Sequence, residues 1–157
     1  MCSSDLVVPM DQLVPWIQDA LDAIEYANGD VATPYGKLRA AHGHPAPFGL
    51  RYLEIGNENG MFGSFGGTLQ QYSERYEAFR AAIAAKWPEV LTIANTRVKH
   101  PMQIVDDHFY MSSGWFWAEA DRYAKADRKG PKIYIGEYAV THDPGVTGNL
   151  RSEEHTS

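Results

Sequence analysis

Cysteine is nearly missing from these 157 residues: the chain has one, Cys2. A single cysteine cannot close a disulfide within the chain or build a thiolate metal site, so neither staple holds this fold. No apolar run reaches the roughly 20 residues that a membrane-spanning helix needs, which argues against a membrane partner. Basic residues are outnumbered, 14 Lys and Arg against 20 Asp and Glu, for a formal net charge of −6. Without a basic stripe there is no electrostatic footprint for nucleic acid. No Gly-x-Gly-x-x-Gly turn and no P-loop occurs, so the usual signals of nucleotide cofactors are missing as well.

The ends read as foreign. Arg151-Ser-Glu-Glu-His-Thr-Ser157 back-translates to a common sequencing-adapter sequence, and Cys2-Ser-Ser-Asp-Leu6 fits that adapter's reverse complement in a shifted frame. Opposite strands of one oligonucleotide at the two ends predict a metagenomic read-through from a bacterial parent. Residues 1–6 and 151–157 are then scars, and 7–150 is the natural segment. On this expectation Cys2 drops out. Setting aside three acids (Asp5, Glu153, Glu154) and one base (Arg151) leaves a charge of −4. Compartment, cytoplasmic or secreted, stays open.

Periodicity organises the middle. Asp11 is a candidate N-cap for a helix carrying Leu13, Trp16, Ile17, Ala20, Leu21 and Ile24 at helical spacing, with Pro15 in its first turn and Asn28-Gly29 as its stop. Residues 30–49, rich in Gly and Pro, read as a long loop. After a strand ending near Glu58 comes a glycine-rich loop with Met61, Phe62 and Phe65. Thr68-Leu-Gln-Gln71 then fits a capping box for a helix with the stripe Tyr72, Tyr76, Phe79 and Ile83, ended by Trp87-Pro88. Strands are expected over 90–94 and 104–110, a helix over 115–126 stopped at Gly130-Pro131, and a last strand into Glu137. The link 95–103 is too short and too weakly periodic for a full helix. Such alternation predicts a parallel α/β sheet with right-handed crossovers. Functional residues at strand C-termini favour a (β/α)8 barrel, with a doubly wound open sheet as the competitor.

Two runs share one design. Arg51-Tyr-Leu-Glu-Ile-Gly-Asn-Glu58 and Lys132-Ile-Tyr-Ile-Gly-Glu137-Tyr are each an apolar strand, a glycine, then a carboxylate. An unpaired buried carboxylate costs several kcal/mol, roughly, or shifts its pKa. Two at strand ends therefore point either to structural ion pairs or to a carboxylate pair built for chemistry. By alternation Gly56 and Glu58 face inward on one strand, and Ile133, Ile135 and Glu137 on the other. Glycosidic hydrolysis needs such a pair, one as proton donor and one across the sugar ring, with their pKa values split by environment.

Other polar groups carry weaker signals. Glu54 reads as a barrel-interior carboxylate tied to a buried cation. His42 and His44 lack partners at metal-ligand spacing and read as a loop lining the substrate mouth. Asp106, His108 and Tyr110 share one strand face, so Asp107 cannot join them in a metal site. No metal and no cofactor is expected. Trp115, Phe116 and Trp117 are either a sugar-stacking platform or helix-to-barrel packing.

Five segments together carry a resemblance: Gln18–Gly29, Tyr52–Asn59, the helix with Tyr72, Arg75, Tyr76 and Phe79, Asp106–Tyr110, and Gly130–Ala139. They resemble glycoside hydrolase family 51, the α-L-arabinofuranosidases, over nearly all of 7–150. The resemblance implies part of a (β/α)8 TIM barrel, roughly the third helix through the seventh strand, without the β-sandwich domain that normally accompanies it. It implies Glu58 as general acid/base and Glu137 as nucleophile of a retaining double displacement. Asn57 would bind the sugar hydroxyl beside the anomeric carbon, Tyr110 would hold the nucleophile, and His108 would line the site floor. The implied partner is an arabinose-containing oligo- or polysaccharide. Another retaining clan member, such as an endoglucanase or xylosidase, and a non-catalytic carbohydrate-binding barrel remain alternatives. Whether the parent is a monomer or a homo-oligomer is open.

Overall fold

The computed structural model describes residues 8–60 and 67–141. The proposed scars and the loop residues Met61, Phe62 and Phe65 lie outside them. Two compact units divide the chain, residues 1–105 and 106–157.

In the first unit, a 3-10 turn (Met10–Gln12) leads into helix α1, Leu13–Asn28. Gln12, not Asp11, occupies the N-cap and gives no side-chain cap, because Asp11 is spent inside the 3-10 turn. Pro15 falls in the first turn of α1, where its missing N–H costs nothing. The stop at Asn28-Gly29 is as expected, although Gly29 is extended rather than left-handed, with φ −63°.

The stretch 30–49 is not all loop: helix α2, Pro34–Ala41, stands inside it. Thr33 caps it by accepting the Gly36 N–H at 3.2 Å, and Pro34 takes the first-turn position that proline prefers. Arg39 of α2 is fully buried. Its guanidinium donates to the carbonyls of Tyr26 (2.9 Å), His44 (3.0 Å) and Pro45 (3.0 Å), tying the link to the end of α1. Asn28 then brackets Leu50, accepting its N–H at 2.7 Å and donating to its C=O at 2.8 Å, so the next strand starts beside the helix terminus.

That strand, β1 (Tyr52–Ile55), pairs in parallel with β2 (Leu91–Ala94), in register from Tyr52 with Leu91 to Ile55 with Ala94. Between them runs α3, Leu69–Lys86, opened by the expected capping box of Thr68 and Gln71. Its buried Tyr72, Tyr76 and Ile83 meet Ile24, Ile55, Val90 and Ala94 in one core, with Phe79 packed alongside. Tyr76 places its hydroxyl 3.1 Å from the buried Thr92 hydroxyl, satisfying both. Glu25 ties the three helices together, accepting the Tyr35 N–H at 3.2 Å and pairing with Lys86 at 3.2 Å. Those donors hold its carboxyl below its ordinary range. The link 95–103 holds no helix, as expected, and Ile104 and Val105 pair in parallel with Ile93 and Ala94.

Those two residues open β3, Ile104–Met111, which continues into the second unit with β4 (Lys132–Val140) as its hydrogen-bonded neighbour. Helix α4 is short, Ser113–Ala118, capped by the Ser112 hydroxyl; turns replace helix over 119–125. Phe109 on β3 packs against Trp115 with ring centroids 5.1 Å apart, and Arg122 lies over both rings. Tyr123 donates to Asp107 at 2.6 Å. Burial, then that carboxylate, pushes its phenol up to about 12. Parallel pairing with helical crossovers makes this an α/β fold. Among the described residues no helix is long and apolar enough to cross a membrane.

The Arg39 staple predicts a local effect. Arg39→Met strips three carbonyls of their donor at about 1–3 kcal/mol for each group left buried. Hydrogen exchange of the Phe48 amide, bonded to Ala27, is expected to speed up roughly tenfold to a hundredfold while α3 amides hold steady. Equal acceleration in both would refute the local role.

Candidate active site

In the first unit the strand β1 ends at Ile55, earlier than simple alternation would have it, and a turn carries Asn57 and Glu58. Gly56 has φ +85°, and a Cβ there would run into Asn59 Oδ1, so only glycine fits. Asn59 Oδ1 accepts the Asn57 N–H at 3.0 Å and lies 3.4 Å from Asn95 Nδ2. Beneath the turn the Tyr72 hydroxyl donates to Ile55 C=O at 2.8 Å and accepts the Asn95 N–H at 2.8 Å. Burial pushes the Tyr72 phenol far up, so it stays a neutral donor and acceptor. Glu58 itself adopts φ +55°, in the left-handed region that side chains rarely take. Glu58 is half-buried and Asn57 exposed.

His42 and His44 sit elsewhere. His42 Nδ1 is 2.9 Å from the Tyr26 hydroxyl, and His44 packs edge-on against Phe48 at 5.4 Å. Their link leads from α1 into the N-terminal end of β1, the opposite end from Glu58. The expectation that they line a substrate mouth is therefore corrected: an α-to-β connection cannot reach the strand's C-terminal end. Glu54 shares the Tyr52 face of β1, while Leu53 and Ile55 face the helices.

In the second unit three of the expected residues converge. Tyr110 donates its hydroxyl to Glu137 Oε2 at 2.8 Å, and His108 Nδ1 stands 3.7 Å from the same oxygen. The His108 side chain is only 2% exposed, and that of Glu137 39%, so the carboxylate opens outward over a buried imidazole. Behind His108, its Nε2 meets Asp106 Oδ2 at 3.0 Å. Asp106, 1% exposed, uses Oδ1 to accept the Gly136 N–H at 2.6 Å. Asp107 points the other way, to Tyr123, as strand alternation requires. Of the aromatic trio, Trp115 is packing and Trp117 is 83% exposed.

Sequence reading passed over Tyr72 as mere core and weighed Asp106 only as a metal ligand. Asp106 could have been found: period two sets it on the face of His108 and Tyr110. The second task of Tyr72 has no sequence signal, since a stripe position does not reveal a hydroxyl's acceptor.

The strand expected to end at Glu137 runs on to Val140, so that carboxylate stands within β4, bonded by a phenol and flanked by an imidazole, while Glu58 stands on a strained turn after β1. Comparison with known proteins gives the family. Residues 2–128 match the family model described as the α-L-arabinofuranosidase 1 domain. The chain is 38% identical over 138 residues to an extracellular exo-α-L-arabinofuranosidase of Streptomyces chartreusis, covering 78% of this chain and 16% of that protein. It is 34% identical over 148 residues to α-L-arabinofuranosidase 2 of Arabidopsis thaliana, covering 91% and 21%. An arabinose-bound GH51 α-L-arabinofuranosidase superposes with a TM-score of 0.77 at 34% identity, over 85% of this chain and 21% of that one. The chain thus spans about a fifth of the length of these relatives. The match over most of its length means that it belongs to the α-L-arabinofuranosidases of glycoside hydrolase family 51.

Proposed function

We propose that this segment belongs to the catalytic barrel of a retaining glycosidase that removes terminal α-L-arabinofuranosyl residues from arabinan- or arabinoxylan-type glycans. The hydrogen bond from Tyr110 to Glu137, with the buried His108 beside it, is the observation that carries the reading: it orients a carboxylate that opens outward for attack. Glu137 attacks the anomeric carbon and forms a glycosyl ester, while Glu58 gives its proton to the leaving oxygen. Glu58 then takes a proton from water, which hydrolyses the ester with net retention. Asn57 bonds the neighbouring sugar hydroxyl, a contact that tightens as oxocarbenium character grows. This chemistry requires Glu58 and Glu137 to open on one sugar, about 5 Å apart in retaining enzymes. No cofactor or metal takes part.

Strand-to-helix alternation and family membership support a (β/α)8 barrel for the parent, with this segment running from roughly the third helix through the seventh strand. Residues 1–6 and 151–157 are, on the same reading, adapter-derived. The Streptomyces relative is described as extracellular, which favours a secreted parent.

Three outcomes test this. In the full-length enzyme, Glu137→Ala should lower kcat roughly 10⁴-fold or more on an aryl α-L-arabinofuranoside; near-wild-type turnover would end the assignment. Glu58→Ala should cost about 10²- to 10⁴-fold with a poor leaving group and much less with an activated one, because the latter needs no proton. Equal losses on both would remove Glu58 as the acid. The isolated 157-residue chain should show no arabinosidase turnover, since a partial barrel has free strand edges and an incomplete core. Turnover coupled to a cooperative thermal transition would refute that.

A further inference from the structure

We propose that Asp106 is a positioning residue for the reaction at Glu137, acting through the backbone just before the nucleophile and through the imidazole beside it. The inference rests on the nucleophile role of Glu137. All five groups involved belong to the second unit.

Asp106 divides its two oxygens between separate tasks. Oδ1 accepts the N–H of Gly136, whose carbonyl carbon leads directly into Glu137, at 2.6 Å. Oδ2 meets His108 Nε2 at 3.0 Å. A carboxylate only accepts, so Nε2 carries the ring proton, and in the neutral ring Nδ1 carries a lone pair and no proton. That lone pair lies 3.7 Å from Glu137 Oε2, the oxygen to which Tyr110 donates at 2.8 Å. Asp106 therefore decides that neutral His108 gives Glu137 no proton and leaves the phenol of Tyr110 to do so. A nucleophile bound by fewer neutral donors keeps more of its basicity for attack.

The fit is close. A Cβ on Gly136 would collide with Asp106 Oδ2 and stand 2.9 Å from its Cγ. Glycine before the nucleophile is thus explained by the carboxylate across the ladder, and the two residues form one device. A bland strand-to-strand tie would need neither the imidazole contact nor burial to 1% exposure.

The decisive comparison is Asp106→Asn, with Asp106→Ala beside it, in the full-length enzyme. Asparagine keeps an acceptor for Gly136 but turns an N–H toward His108 Nε2, so the ring proton should move to Nδ1. Nitrogen-15 NMR of the His108 ring reads that shift directly. For the Asn variant kcat should fall roughly 10- to 100-fold, the range for residues supporting a reactive group. KM should stay within about threefold, because ground-state sugar contacts are untouched. The Ala variant should lose more in kcat. An unchanged tautomer in Asp106→Asn overturns the proposal, as does full kcat per folded enzyme with only Tm lowered. If wild-type enzyme neither turns over an arabinofuranoside nor forms an ester on Glu137, the glycosidase reading fails instead. The NMR comparison still decides whether Asp106 sets His108.

Discussion

The hydroxyl of Tyr72 stands where the next rung of the β1–β2 ladder would be. It donates to the last carbonyl of β1 and accepts the first N–H beyond β2, at 2.8 Å each. A ladder that simply stopped there would leave two buried backbone groups unpaired, at about 1–3 kcal/mol each. The phenol satisfies both and lets β1 leave the sheet one residue before Gly56. Everything that presents Asn57 and Glu58 follows from that exit. Asn95 completes it, fully buried and reaching toward Asn59 from below.

The second unit uses a charge to hold backbone inside a strand. Where β3 and β4 run toward Glu137, Asp106 takes the backbone N–H that precedes the carboxylate and holds a neighbouring side chain with its other oxygen. In each unit a buried polar side chain from another element fixes the backbone, Tyr72 at the end of β1 and Asp106 within β4, and a glycine leaves room for a polar side chain beside it: Gly56 for Asn59, Gly136 for Asp106. The shared strand–glycine–carboxylate pattern is the sequence trace of this arrangement. At both glycines a Cβ would run into a polar side chain, and the carboxylate follows one or two residues later.

What could be read from sequence divides along the same line. The capping box at Thr68, the stripe of α3, the strand faces of β3 and the missing helix over 95–103 follow from local rules, and all are present. Helix α2 was hidden by Gly36 and by the surrounding Pro-rich composition. Yet Thr33-Pro34 is a good cap followed by a first-turn proline, and that signal outranked composition. The helix expected over 115–126 stopped at Ala118 because Trp115 and Tyr123 are held by Phe109 and Asp107 on β3, which asks for turns rather than a continuous stripe. His42 and His44 misled for a different reason. Residue type suggested a site, whereas only topology says which end of a strand a connection serves.

Glu58 marks where local rules give way to function. A non-glycine residue at φ +55° costs on the order of 1 kcal/mol, and glycine or asparagine would fill the position without strain. The conformation persists because the turn is over-determined: the Asn57 N–H is held by Asn59, Asn59 is approached by Asn95, and the Ile55 carbonyl is held by Tyr72. These contacts hold the backbone on both sides of position 58 and support the strain there. A carboxylate at a strained position that its surroundings pre-form suits the acid role proposed for Glu58, which needs a fixed line of approach.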